Sequence, residues 1–122
     1  MASPAKPLIQ QRTFEFAVRV LRVVRAMPRG VADQVIARQL ARCGTSIGAN
    51  VEEAQGAQSK AEFTRKMNIA RGEAREAVYW LRLVAELDMV PQERSANLFQ
   101  EAREISNILI AIVKTARSRP EG

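Results

Sequence analysis

Apolar residues recur every three or four positions along long stretches of this chain, and that spacing leaves little choice of fold. One stretch runs Ile36, Leu40, Cys43, Ile47, Val51, Ala54. The next runs Phe63, Met67, Ala70, Ala74, Ala77, Leu81, Val84. A third holds Ile105, Leu109, Ile112 and Ala116, flanked by Phe99, Ala102, Ile108 and Val113. Such intervals keep one face of an α-helix apolar, whereas a strand requires alternation at two. The chain therefore reads as all-α. Its punctuation divides it into four helices: about Gln11 to Ala26, Val31 to about Ala54, Lys60 to about Leu87, and about Pro91 to Arg117.

The boundaries have chemical reasons. Met27-Pro28-Arg29-Gly30 closes the first helix, and Gly56 suits the stop of the second. Ser59-Lys60-Ala61-Glu62 fits a capping box, with the serine on the Glu62 amide and the glutamate reaching back. Pro91 suits the first turn of the fourth helix, where its missing N–H costs nothing. Short links favour antiparallel neighbours, hence an up-down-up-down four-helix bundle. The 122 residues suit one domain, expected over 11–117. A disordered tail is expected over 1–10, and a frayed end over 118–122. The third helix would be roughly 42 Å long at ~1.5 Å per residue. A compact chain of this size has a radius of gyration of only ~14 Å, so the bundle should be elongated.

Composition narrows the chemistry. There are no histidines and one cysteine, Cys43. A Ser-His-Asp triad, a Cys-His dyad, a His/Cys zinc site and a Glu-x-x-His di-iron centre cannot be built within one chain. Neither can an internal disulfide. No catalytic, metal-binding or cofactor-binding residues are expected, and the chain reads as non-enzymatic. No apolar h-region or spanning stretch is evident, so a cytoplasmic, non-membrane protein is expected.

Some faces exceed what one bundle needs. Ala37, Ala41, Gly44 and Gly48 form a small-residue stripe, read as tight packing inside the bundle, with a neighbouring subunit as the alternative. The third helix is apolar over most of its circumference toward its C-terminal end. Tyr79, Trp80, Leu83 and Leu87 point away from the Ala77–Leu81–Val84 line, and Ile69 extends that second stripe. Aromatic residues are enriched at interfaces, so these five are expected to form a homo-oligomer interface. The alternative is that the tail or the first helix covers them. Gln39, Ser46, Asn50 and Glu53 form a polar row. It reads as a hydrogen-bonded helix contact rather than as a catalytic base with a substrate binder, because no nucleophile or metal ligand accompanies it. Glu73 and Glu76 read as surface carboxylates paired with Arg71 and Arg75. Cys43 reads as a small core residue.

Basic residues number 19 against 13 acidic, a net charge of +6. The first helix holds Arg12, Arg19, Arg22 and Arg25, with Arg29 just beyond; on a helical wheel Arg19, Arg22, Arg25 and Arg29 share one arc with Glu15 as its only acid, and Arg12 is counted with them as a candidate contact. Guanidinium forks suit phosphate, which makes this arc a candidate nucleic-acid-binding stripe. The alternatives are a solvated face or a set of acceptors for acids on another helix. No aromatics interleave the arginines, so contact should be to backbone rather than base.

Two motifs carry a resemblance. Gln39-Leu40-x-Arg42-x-x-x-Ser46-Ile47-x-Ala49-Asn50-Val51-x-Glu53 resembles a hallmark of the bacterial 23S rRNA intervening-sequence family. So does Ser59-x-x-Glu62-Phe63-x-x-Lys66-Met67-x-Ile69-Ala70-x-x-Glu73-Ala74-Arg75-Glu76-x-x-Tyr79-Trp80-Leu81. The likeness spans roughly Phe14 to Lys114. It implies a left-handed antiparallel four-helix bundle assembled as a ring-shaped homopentamer. The accessory protein of diversity-generating retroelements is similar too, a basic pentameric barrel that binds a reverse transcriptase and nucleic acid. Many relatives have an Asn-Ile-x-Glu-Gly stretch with a basic residue nearby. Here Asn50-Val51-Glu52-Glu53-Ala54-Gln55-Gly56-Ala57-Gln58 has neither lysine nor arginine. Ser46, Asn50, Glu53, Ser59 and Glu62 are read as structural polar residues. The expected function is an oligomeric scaffold that binds RNA or a nucleoprotein through its basic face. The alternative is a protein adaptor recognising an acidic partner.

Overall fold

The computed structural model describes residues 8–119. Residues 1–7 and 120–122, expected to be tails, lie outside the described residues. Four helices follow in order: α1 (Ile9–Ala26), α2 (Val31–Gln55), α3 (Lys60–Glu86) and α4 (Gln92–Ser118). Each packs against its neighbours in sequence, and α1 closes against α4. The diagonal pairs α1/α3 and α2/α4 do not pack together. This is the antiparallel four-helix bundle that the apolar spacing requires.

The core follows the periodic series. Leu40, Cys43, Ile47 and Val51 of α2 and Ala70, Ala74, Ala77 and Leu81 of α3 are fully buried. They meet Phe16 and Val20 of α1 and Ala102, Ile105 and Leu109 of α4. The alanines of α3 face larger residues, the alternation of sizes that fills a core without voids.

Two boundaries depart from expectation. The first helix begins at Ile9 rather than Gln11, so residues 9 and 10 belong to the bundle and not to a tail. The cause is Ile9, which packs partly buried against the core. The fourth helix begins at Gln92 and ends at Ser118, so Pro91 is its cap rather than its first helical residue.

The ends of α3 show how local chemistry fixes the links. Ser59 Oγ accepts from the Glu62 amide at 3.0 Å. The glutamate reaches one residue further back than a standard capping box, accepting from the Gln58 amide at 3.2 Å. At the other end, Asp88 takes φ 51°. The Met89 amide donates to the Val84 carbonyl at 3.1 Å and the Asp88 amide to the Ala85 carbonyl at 3.2 Å. That is a Schellman stop with aspartate in the left-handed position, and buried Met89 supplies its apolar contact.

The small-residue stripe serves the bundle itself. A Cβ on Gly44 would lie 2.8 Å from Val20 Cγ1, and one on Gly48 would lie 3.3 Å from the Thr13 carbonyl oxygen. Gly44 makes room for the Val20 side chain, and Gly48 admits the α1 backbone at Thr13 to close range.

Candidate nucleic-acid interface

The arginines of α1 divide into two groups. Arg12 is drawn into the seam with α4. Its guanidinium donates to both oxygens of Glu101, at 2.6 and 3.2 Å, and to Glu104 at 3.2 Å. These bonds, the one to Glu101 foremost, raise its pKa further. Hydrogen bonds from Gln100 and from Arg12, both 3.2 Å, hold the Glu104 carboxyl below its ordinary range. Arg12 thus serves the fold, as an acceptor site for acids on another helix.

Arg19, Arg22, Arg25 and Arg29 have no carboxylate partner among the described residues. Arg22, Arg25 and Arg29 are exposed and Arg19 is half-buried. Arg19 and Arg22 line a depression of about 230 Å³ with Arg94 and Asn97 of α4, above Val23 and Leu98. Sequence reading missed Arg94 and Asn97, because only the antiparallel register of α1 and α4 brings them opposite Arg19 and Arg22. It also missed a second basic seam, where Arg71 of α3 lies beside Lys114 and Arg117 of α4.

The other expected residues sort as follows. In the polar row, the Asn50 amide donates to the Ser46 carbonyl at 2.9 Å and to Ser46 Oγ at 3.1 Å. Glu53 accepts from Lys66 of α3 at 2.7 Å. That hydrogen bond holds the Glu53 carboxyl below its ordinary range. Glu73 and Glu76 do not pair with Arg71 and Arg75. Both are taken by Arg42 of α2, Glu73 at 3.0 Å, and Arg71 instead donates to Asn68 at 2.8 Å. The α2/α3 seam places a cation directly opposite the two acids, a closer arrangement than neighbours on one helix provide. Cys43 is buried, and desolvation pushes its thiol up to about 12. Among the described residues, no group of three or more His, Cys, Asp or Glu side chains could hold a metal ion. No described helix is long and apolar enough to cross a membrane.

The expected interface residues split. Tyr79 and Leu87 are 53% and 56% exposed, and Ile69, nearly three turns before Tyr79 on α3, is exposed too. Trp80 and Leu83 instead pack partly buried against the core. Trp80 lies edge-on to Tyr79, with ring centroids 5.1 Å apart. Its Nε1 is buried without an acceptor. Helix α1 does not cover this face, because it does not reach α3.

Comparison with known proteins agrees with this architecture. No curated protein matches the chain. A crystal structure of a protein of unknown function from the S23 ribosomal protein family of Bacteroides thetaiotaomicron is 37% identical. Its likeness covers 88% of this chain and 99% of that one, with a TM-score of 0.81. The family model described as 23S rRNA-intervening sequence protein matches residues 6–111. With that match across nearly the whole bundle, the chain belongs to the 23S rRNA-intervening sequence protein family.

Proposed function

We propose that this chain is a non-enzymatic, cytoplasmic, homo-oligomeric bundle that contacts RNA or a nucleoprotein through the arginine face of α1. The observation that carries the proposal is the contrast within α1. Arg12 is neutralised by two glutamates, while Arg19, Arg22, Arg25 and Arg29 have no carboxylate partner among the described residues. Guanidinium groups left facing solvent in a row match the spaced charges of a nucleic-acid backbone. The names of the family and of the similar crystal structure's family, a 23S rRNA intervening sequence and a ribosomal protein family, add an RNA context. The resemblance to the retroelement accessory protein points the same way.

Assembly is supported by surface that the bundle leaves uncovered. It includes Ile69 and Tyr79 of α3 with Leu87 at its cap, and Phe14 and Leu21 of α1, besides Val31 and Val35 of α2 and Ile110 of α4. Helices α1 and α3 are diagonal in the bundle, so their two sets of residues are on elements that do not touch. Two different patches brought together between copies give a heterologous contact, the kind that builds a ring where its rotation closes. The pentameric number comes from the family resemblance.

The test is the ultraviolet absorbance ratio of purified protein, followed by RNA binding at several salt concentrations. Nucleic acid should co-purify, and affinity should fall steeply with salt. Replacing Arg19, Arg22 and Arg25 together by alanine should weaken binding and flatten the salt dependence. Unchanged affinity in that variant removes α1 from the interface. A cellular partner still captured after nuclease treatment would favour a protein adaptor instead.

A further inference from the structure

The depression between α1 and α4 has the character of a binding site for one anionic group. Three guanidiniums, Arg19, Arg22 and Arg94, surround it, and the Asn97 amide adds a further donor. No carboxylate lines it, and none of the three arginines is paired among the described residues. Farther along the same seam, Arg12 meets Glu101 and Glu104. The seam therefore changes from a neutralised half to an uncompensated one. Buried Val23 and Leu98 give the uncompensated half a packed floor.

Size limits the ligand. About 230 Å³ is below the ~300–1,000 Å³ typical of sites that enclose a whole small molecule. It suits a group rather than a nucleotide, and the donor set suits a phosphate. No aromatic or acidic side chain lines the depression to recognise a base or a ribose. Arg25 and Arg29 continue the row beyond it on exposed surface, as a phosphodiester track would need.

We infer that Arg19, Arg22, Arg94 and Asn97 form a phosphate site that seats one backbone phosphate of an RNA strand lying along α1. This deepens the proposed function and rests on its nucleic-acid reading. The new element is the part taken by α4. Arg94 anchors the strand from the opposite side of the seam, so the contact surface spans two helices rather than one.

The test uses fluorescence anisotropy of a labelled short oligouridylate with the full chain, the Arg94→Gln variant and the Arg103→Gln variant. Both variants lose one charge from α4. Arg103 lies nine residues on, half a turn around the helix, where it stacks over Phe99 at 5.9 Å. Arg94 is exposed and has no ion-pair partner among the described residues, so its loss leaves the fold intact, which far-ultraviolet circular dichroism checks. Arg94→Gln should weaken binding about five- to tenfold and lower the logarithmic salt slope by about 0.7, the value for one single-strand phosphate contact. Arg103→Gln should change neither to that extent. Pyrophosphate should compete with the oligonucleotide on the parent chain and compete less on Arg94→Gln.

Equal effects of the two variants on a chain that does bind RNA would overturn the phosphate site and leave the nucleic-acid reading standing. A parent chain that fails to bind the oligonucleotide, yet gains thermal stability from pyrophosphate through Arg94, would overturn the RNA source and keep the phosphate chemistry. No response to either probe would overturn both.

Discussion

Single residues decide how closely these helices approach. Gly44 is in the interior of α2, where glycine costs about 1 kcal/mol relative to alanine. Its compensation is the approach of Val20, whose Cγ1 would lie 2.8 Å from an added Cβ. Val20 is fully buried and β-branched, so it has no alternative rotamer to retreat into. Overpacking of this kind costs about 1–3 kcal/mol, which outweighs the propensity gain. Gly44→Ala should therefore lower stability by about 1 kcal/mol, read as a reduced urea midpoint. An increase would mean that α1 does not press on this position. At this scale the sequence was partly legible. The Gly44–Gly48 stripe is visible from spacing, but the helix that fills it is not, since i and i+4 positions name a face and not its neighbour. Cys43 could be placed in the core from its position in the Leu40–Ile47 series.

Elements meet through seams of charge, and these made the sequence hardest to read. Spacing along α3 suggests Arg71 and Arg75 as partners for Glu73 and Glu76. The structure assigns both acids to Arg42 of α2. Only the antiparallel register decides between neighbours on one helix and neighbours across two. The same register takes Arg12 away from the α1 stripe and adds Arg94 to it. Helix boundaries were more legible, because Ser59, Glu62 and Pro91 act within a few residues of themselves. The early start of α1 at Ile9 was hidden, since it depends on a long-range contact of Ile9 with the core.

The seams also set a pH dependence. Lys66 holds the Glu53 carboxyl low, and Gln100 with Arg12 does so for Glu104. With pKa values lower in the folded chain than in the unfolded chain, these groups favour folding whenever they are ionised. Their contribution is complete above the ordinary carboxylate value and is lost as pH falls through the lowered one. Stability measured by urea unfolding should fall on acidification from about pH 6 to about pH 3. Lys66→Gln should make that fall shallower by removing the Glu53 contribution. An identical acid profile would show that the Lys66–Glu53 bond does not persist in solution.

For the whole molecule, four helices arranged around one core still leave apolar side chains uncovered on every helix. Tyr79 and Leu87 are more than half exposed on α3, and Phe14 is 68% exposed on α1. Monomeric domains tolerate single exposed apolar residues, but grouped ones mark contact surfaces. The sequence indicated that α3 carries a second apolar face. It could not separate Trp80 and Leu83, which lean onto the core, from Tyr79 and Leu87, which do not. That division is set by how α3 packs onto the core of the folded bundle. It also supplies a cleaner probe than a core substitution. Tyr79→Glu and Leu87→Glu change exposed positions, so each should dissociate an assembly while preserving helical content.

Light scattering of the purified chain tests assembly most directly. The expected mass is about five times the 13.6 kDa of one chain, falling toward the single-chain value in the Leu87→Glu variant. A parent chain that scatters as a 13.6 kDa monomer at micromolar concentration would contradict it.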